Sequence, residues 1–412
     1  MTTTPPMAGK MPPPLLFVSL IAALAALGQF AIATYLPAFD DIARSLQASP
    51  LQVQQTLTAY LVPFALTILW HGAISDAIGR RNFILVGLLL FLAASLLCTF
   101  AGSIEQLYAG RVLQGLSAGI GIVVGRAMVR DCFEGSAALK QMAMVSILFA
   151  LAPAVAPVCG GLLLLWSGWR SIFAFLSLIT AGLLLACWLW LPETLAPARR
   201  HPLHPAALGK AYVGLLADRR FMLISLANAA VNSAIYIYVL SAPTFVTRHL
   251  GLGQQSFGWL FIPIVGGMLC GSLVALRVAG RMVPAASVML GHALMFGANL
   301  LNIAIAMSLP PGLPWSIVAL PLFALGMVLT QPGLQLLALD RFPARRGLAS
   351  SGYVTVQQAS NALSSALLIP LLLGSTLSLA LGVAALQFAA LLAFWLSQRP
   401  PEPLPAKQEH TP

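Results

Sequence analysis

Gly72-Ala-Ile-Ser75-Asp76-Ala-Ile-Gly79-Arg80-Arg81 is the densest polar stretch in a chain that is otherwise mostly apolar. It lies between the apolar runs 57–70 and 83–100, which predicts a short water-facing turn joining two membrane helices. Gly72 would let a neighbouring helix approach closely, Gly79 permits a left-handed backbone, and Arg80 and Arg81 offer planar forks to carboxylates. Arginines in such a turn also follow the positive-inside rule with no further role, so the surrounding chain has to decide between the two.

Hydrophobic residues make up 59% of the 412 and charged residues 8%, where soluble domains carry about a quarter charged. The composition is that of an all-α polytopic membrane protein, with the lipid bilayer as its first partner. Five cysteines stand singly, mostly within apolar runs and without metal-ligand spacing, and read as small core residues. The net charge of +11 is scattered in short clusters between apolar runs, which fits a membrane's inner surface and argues against nucleic acid. Gly115-Leu-Ser117-Ala-Gly119 formally matches a hydrolase elbow but lies in an apolar helix with no strand before it. Helix-borne His-Glu-x-x-His and the phosphate-binding Gly-Lys-Ser/Thr pattern are missing from the sequence. The expectation is a protein that is not an enzyme, holds no metal or cofactor and does not use ATP.

Outward from the opening stretch, six apolar spans are expected at about 15–35, 54–74, 83–101, 106–129, 139–165 and 169–191. Six more follow at about 221–246, 257–276, 285–307, 314–339, 348–373 and 376–396. This gives a tail at 1–14, a six-helix bundle at 15–191, a linker at 192–220 rich in proline and cations, a second bundle at 221–397 and a tail at 398–412. With both termini cytoplasmic, 17 of the 22 cations fall inside, Lys10, Arg345 and Lys407 among them. Two such bundles suggest a site between them near the midplane.

Three stretches carry a family resemblance. Gly72-x-x-Ser75-Asp76-x-x-Gly79-Arg80-Arg81 resembles the signature loop of the major facilitator superfamily. Leu107-x-x-x-Arg111-x-x-Gln114-Gly115 resembles the second signature of its drug exporters, and Ala152-Pro153-Ala154-Val155-Ala156-Pro157-Val158-Cys159-Gly160-Gly161 is similar to the antiporter signature. Tyr35-Leu36-Pro37-Ala38, Arg126-Ala-Met-Val-Arg130-Asp131, Trp169-Arg170-x-x-Phe173 and Leu191-Pro192-Glu193-Thr194 resemble the Bcr/CflA drug-resistance branch. The resemblance implies the twelve-helix major facilitator fold in a bacterial inner membrane. It also implies a latch in which Asp131 joins Asp76 and Arg80 or Arg81, and a bend at Pro153, Pro157, Gly160 and Gly161 that seals the cavity.

The residues support parts of this on their own. A guanidinium within a span is costly and normally faces a cavity or a partner, so Arg111 is the first candidate for a central role, with Gln114 one turn along as its neighbour. Arg126, a further candidate for the cavity or coupling, lies fifteen residues on, about 22 Å along the axis, and Arg130, a candidate for the latch, stands with it near the cytoplasmic end of the same helix. Gly115 and Gly119, and Gly121 and Gly125, are spaced for close helix contact. Asp76 is also placed to face the N-terminal end of span eleven at 347–351. Candidate cavity residues are Tyr35, Tyr60, Asn228, Asn232, Tyr236, Tyr238, Gln331, Gln335, Gln357, Gln358 and Asn361, each also able to serve as interhelix glue; as a set they suit an amphipathic small molecule.

Coupling is where the sequence departs from the resemblance. Bcr/CflA-like exporters commonly carry an acid just before the Tyr-Leu-Pro of span one, and here Ala33-Thr34 stand there. Asp131, Asp40, Asp41, His71 and His292 are the remaining groups able to carry a proton. The expectation is an exporter of drug-like or small metabolite molecules working by alternating access on the proton gradient. The alternatives are a metabolite exporter or facilitator without proton coupling and, from another class, a membrane receptor or channel.

Overall fold

A computed structural model describes residues 12–133, 135–200, 203–253, 255–278, 281–343 and 346–399. The expected tails, with Lys10 and Lys407, lie almost wholly outside the described residues, as does Arg345. The first half runs α1 Pro14–Ala33, α2 Pro50–Ile78, α3 Arg80–Thr99, α4 Ile104–Cys132, α5 Gly135–Ser167 and α6 Arg170–Trp190. A linker helix α7, Pro205–Ala217, precedes α8 Arg219–Leu240, α9 Gly258–Val278, α10 Pro284–Ser308 and α11 Trp315–Leu339. The chain closes with α12 Arg346–Leu363, prolonged by a wider turn Ser364–Leu368 and by Ile369–Leu372, and α13 Thr376–Gln398.

Among the described residues ten helices are long and apolar enough to cross a membrane. The other two spans are α5, whose apolar part among these residues is the shorter Val155–Ser167, and the more polar α12. Outward-facing Leu66, Leu178, Leu276 and Phe388 are exposed, which costs free energy in water and nothing in lipid.

Within the first half α1 packs on α4 and α5, α2 on α4, and α3 on α4 and α6. Within the second, α8 packs on α12 and α13, and α11 on α9 and α10. Among the described residues the halves meet most extensively along two helix pairs, α2 with α12 and α5 with α9. The result is two six-helix bundles facing each other. The end of the molecule that carries Gly79, with Arg80, Arg81 and Arg130, is its basic end.

One local expectation is corrected. The 72–81 stretch is not a loop: α2 remains helical through Ile78, α3 starts at Arg80, and Gly79 alone turns the chain with φ +99°. The helix persists because Ser75 and Asp76 keep their backbone in the ladder, with Ser75 Oγ donating to the Gly72 carbonyl at 2.8 Å and Gly79 N–H to the Ser75 carbonyl at 3.0 Å. The 192–220 linker is also partly helical. Pro205 sits in the first turn of α7, where its missing N–H costs nothing, and Leu208, Tyr212 and Leu215 fall on one face that packs with Leu69, Leu348 and Val354.

Candidate functional site

The geometry at the basic end is centred on Arg80. Its Nη1 meets Asp76 Oδ1 at 2.5 Å and donates to Ser75 Oγ at 2.6 Å, while Nε donates to Asp131 Oδ2 at 3.2 Å. One fork therefore ties the end of α2 and the start of α3 to the end of α4, and its side chain is nearly buried while doing so. Arg81 takes a different partner: its Nη2 donates to the Trp188 carbonyl at 2.6 Å, in the last turn of α6 where carbonyls lack intrahelical donors. Arg130 is exposed and Arg126 half-buried, both on the last turns of α4. Among the described residues no hydrogen bond or ion pair links Asp76 to Gly347 or Ser351.

Glu193, in the stretch Leu191-Pro192-Glu193-Thr194, is a further member of this cluster. Its Oε1 accepts from the Arg80 backbone N–H at 3.0 Å, capping α3 from 113 residues away, and its Oε2 pairs with Arg200 Nη2 at 3.4 Å. The neighbouring Thr194 donates to Asp131 Oδ2 at 3.0 Å. The signal was present in Leu191-Pro192-Glu193-Thr194, where an acid stands at the end of a span in a chain with only 11 acidic residues. A Cβ at position 79 would fall on the Glu193 carboxylate and the Arg200 guanidinium, so glycine is required there by space as well as by φ. Gly72 carries no such demand, since the nearest atom to a Cβ there would be Val123 Cγ1 at 3.7 Å.

The second constellation is buried in the first half. Gly115 lets α4 come against the Tyr60 backbone of α2, and Gly121 lets it come against the Leu24 backbone of α1. Gly119 lies under Phe64 and His71, and Gly125 under Ile21. This close packing places Arg111, fully buried, between two rings: its Cζ is 4.4 Å from the centroid of Tyr60 and 4.8 Å from that of Tyr35. Its Nη1 donates to Gln114 Oε1 at 2.8 Å, and Gln114 Nε2 donates to Ser95 Oγ at 2.9 Å. A desolvated cation over an aromatic face gains about 2 kcal/mol per ring, which offsets part of the burial cost.

On α5, Pro153 and Pro157 stand inside a helix that continues through both. Gly160 lets it approach the Thr34 carbonyl at the end of α1, and Gly161 is buried beside it. The remaining candidates divide by partner. Asn228 Nδ2 donates to Gln357 Oε1 at 3.0 Å, and Asn361 Nδ2 donates to Asn232 Oδ1 at 3.2 Å and to Gln358 Oε1 at 3.3 Å, all between α8 and α12 or within α12. Tyr238 accepts from Asn302 at 3.0 Å inside the second half. Gln331 and Gln335 are half-buried on α11. Tyr236 instead reaches across, its hydroxyl donating to Gln29 Oε1 of α1 at 3.0 Å, and Thr58 of α2 shares a 3.0 Å hydrogen bond with Ser365 beyond α12. Gln29, Thr58 and Ser365 carry no sequence motif; only the fold brings them together.

Two facing six-helix bundles, joined by a linker and sharing a polar seam, define a multi-pass membrane transporter. The chain belongs to the Major Facilitator Superfamily, whose family model matches residues 18–365. It is 37% identical over 263 residues to "Uncharacterized MFS-type transporter YdgK" of Bacillus subtilis (strain 168), a match covering 63% of this chain and 65% of that relative. It is 25% identical over 382 residues to "Bicyclomycin resistance protein homolog" of Haemophilus influenzae, covering 92% and 95%. In fold it superposes on a D-xylose-proton symporter with a TM-score of 0.72 at 14% identity, covering 93% of this chain and 97% of that one. The resemblance to the Bcr/CflA branch read from the motifs agrees with these relatives.

Proposed function

We propose that this transporter exports drug-like or small metabolite molecules across the bacterial inner membrane by alternating access, coupled to inward proton movement. The observation that carries the reading is the seam between the halves. Among the described residues no ion pair crosses it; Tyr236 to Gln29, Thr58 with Ser365 and Tyr212 to Leu69 are neutral hydrogen bonds. Each is worth about 1 kcal/mol, so rocking one bundle against the other breaks little. With the basic end in the cytoplasm, the Arg80 cluster sets which face opens. The name of the Haemophilus relative supports a drug-like substrate.

A facilitator without proton coupling is the second reading, favoured by the neutral surroundings of Arg111. Proteoliposomes decide between them: coupled export predicts substrate accumulation that rises with an imposed pH difference and collapses with it. Accumulation indifferent to a collapsed gradient removes proton coupling, and no accumulation at all removes active export. A growth-inhibition panel in an exporter-deficient bacterium names the substrate.

A further inference from the structure

We infer that the free edge of Arg111 is a carboxylate receptor inside the first half, and that the exported compounds include monoanionic carboxylates; the second clause rests on the export reading, the first does not.

A guanidinium has five N–H donors on three nitrogens. At Arg111, Nη1 is held by Gln114, itself fixed by Ser95, whose hydroxyl is held by the Phe91 carbonyl at 2.7 Å. Both tyrosine hydroxyls are committed elsewhere: Tyr60 donates to the Gly28 carbonyl at 2.9 Å, and Tyr35 shares a 2.7 Å hydrogen bond with Thr56. They offer Arg111 their ring faces only. That leaves Nε and Nη2, both buried and both without a hydrogen-bond partner. These two nitrogens are adjacent on one edge of the plane, and their parallel N–H bonds match the two oxygens of a carboxylate.

The charge argument points the same way. The elements around Arg111 contribute Tyr35 beyond α1, Tyr60 and Thr56 from α2, Ser95 and Cys98 from α3 and Gln114 from α4, and none of these is an acid. A buried cation with no anion is the costly arrangement; adding one monoanion neutralises it and satisfies the open donors together. Gln114 and Ser95 hold the fork in place, and the two rings hold its plane, so the receptor is organised before the ligand arrives.

The test uses the full chain in lipid nanodiscs, with sodium benzoate as the anionic probe and benzamide as its neutral counterpart at the same ionic strength. Benzoate is expected to raise the unfolding temperature saturably and benzamide not to. Gln114→Glu supplies a carboxylate to the same guanidinium from within, so it should fold and lower benzoate affinity by about tenfold or more. Equal shifts with benzoate and benzamide, or undiminished affinity in Gln114→Glu, overturn the receptor. So does a rise produced by chloride over methanesulfonate with no added benzoate effect, which assigns the edge to a free halide. Saturable benzoate binding without efflux from vesicles leaves the receptor standing and sinks export. Efflux of neutral compounds without benzoate binding does the reverse.

Discussion

Arg80 Nε and Asp131 Oδ2 stand 3.2 Å apart, joining the start of α3 to the end of α4 across 51 residues of chain. Both side chains are largely withdrawn from solvent, at 10% and 24% exposure. A double-mutant cycle with Arg80→Gln and Asp131→Asn is expected to give a coupling of about 1–3 kcal/mol in unfolding measurements. The pair formed by Arg44 and Asp41, whose arginine is 76% exposed, should couple by less than about 0.5 kcal/mol. Equal couplings would reduce the Arg80 cluster to surface charge.

Asp76 shares that guanidinium with Asp131 but is the more exposed acid, at 43%. Asp76→Asn should insert and fold normally while favouring the conformation open at the basic end by about fivefold, the equivalent of one weakened polar contact. Cysteine-accessibility labelling from the two sides of the membrane reads this directly. An unchanged labelling pattern would confine Asp76 to topology.

Two glycines in the same stretch should behave in opposite ways. Gly79→Ala meets a φ of +99° together with the Glu193 carboxylate, and is expected to cost about 2 kcal/mol. Gly72→Ala, inside α2 near its end, has ordinary contact distance to Val123 of α4 and should stabilise by about 0.5–1 kcal/mol. Thermal unfolding of the two variants in one detergent compares them.

Close approach of backbones gives a third contrast. Gly115→Val and Gly160→Val would drive side chains into the Tyr60 and Thr34 carbonyls, and each should lower stability by about 1–3 kcal/mol. Gly182→Ala on α6 has open space within 4 Å and should be neutral or slightly favourable. If all three variants unfold alike, helix spacing is not set by these positions.

Acid sensitivity is expected at Asp218, which begins α8. Burial alone would raise its carboxyl, but the hydrogen bond and charge of Arg341 at 2.9 Å and the Phe221 N–H at 2.7 Å outweigh it and hold the group below the usual carboxylate range. A depressed folded value adds stability above the unfolded value near about 4, lost as pH falls through the folded one. Asp218→Asn keeps a capping side chain and loses the ion pair, so at pH 7 it should be less stable by about 0.5–1 kcal/mol. The gap should narrow as the pH is taken down below the ordinary carboxylate range, and a constant gap would remove Asp218 from the pH response.

The helices were legible because runs of about twenty apolar residues leave the backbone few alternatives in lipid. Arg111 and Gln114 were legible for a related reason, since a charge inside a span stands out from its neighbours. The compression of the opening turn into Gly79 was not, because Ser75, Asp76 and Ile78 suit a helix end and a loop equally well. The helix α7 was hidden by its prolines and cations; its apolar face is meaningful only against Leu69 and Val354, which lie far away in the chain. The same holds for Glu193, whose partner is a backbone N–H that no side-chain pattern records. Asn228 and Asn232 illustrate the converse: four residues apart, they share one helical face, and that face is turned to α12.

Tyr212 is the one residue of the linker helix whose hydroxyl reaches the first half, donating to the Leu69 carbonyl at 3.0 Å, while Leu215 beside it lies against Gly352 of the second. A single neutral hydrogen bond of about 1 kcal/mol changes an equilibrium about fivefold. The connection is therefore too weak to bolt the basic end shut and strong enough to lengthen each closure. In the proposed alternating-access cycle, what looks like a passive tether would act as an escapement, setting the tempo while the charges at Arg80 set the direction.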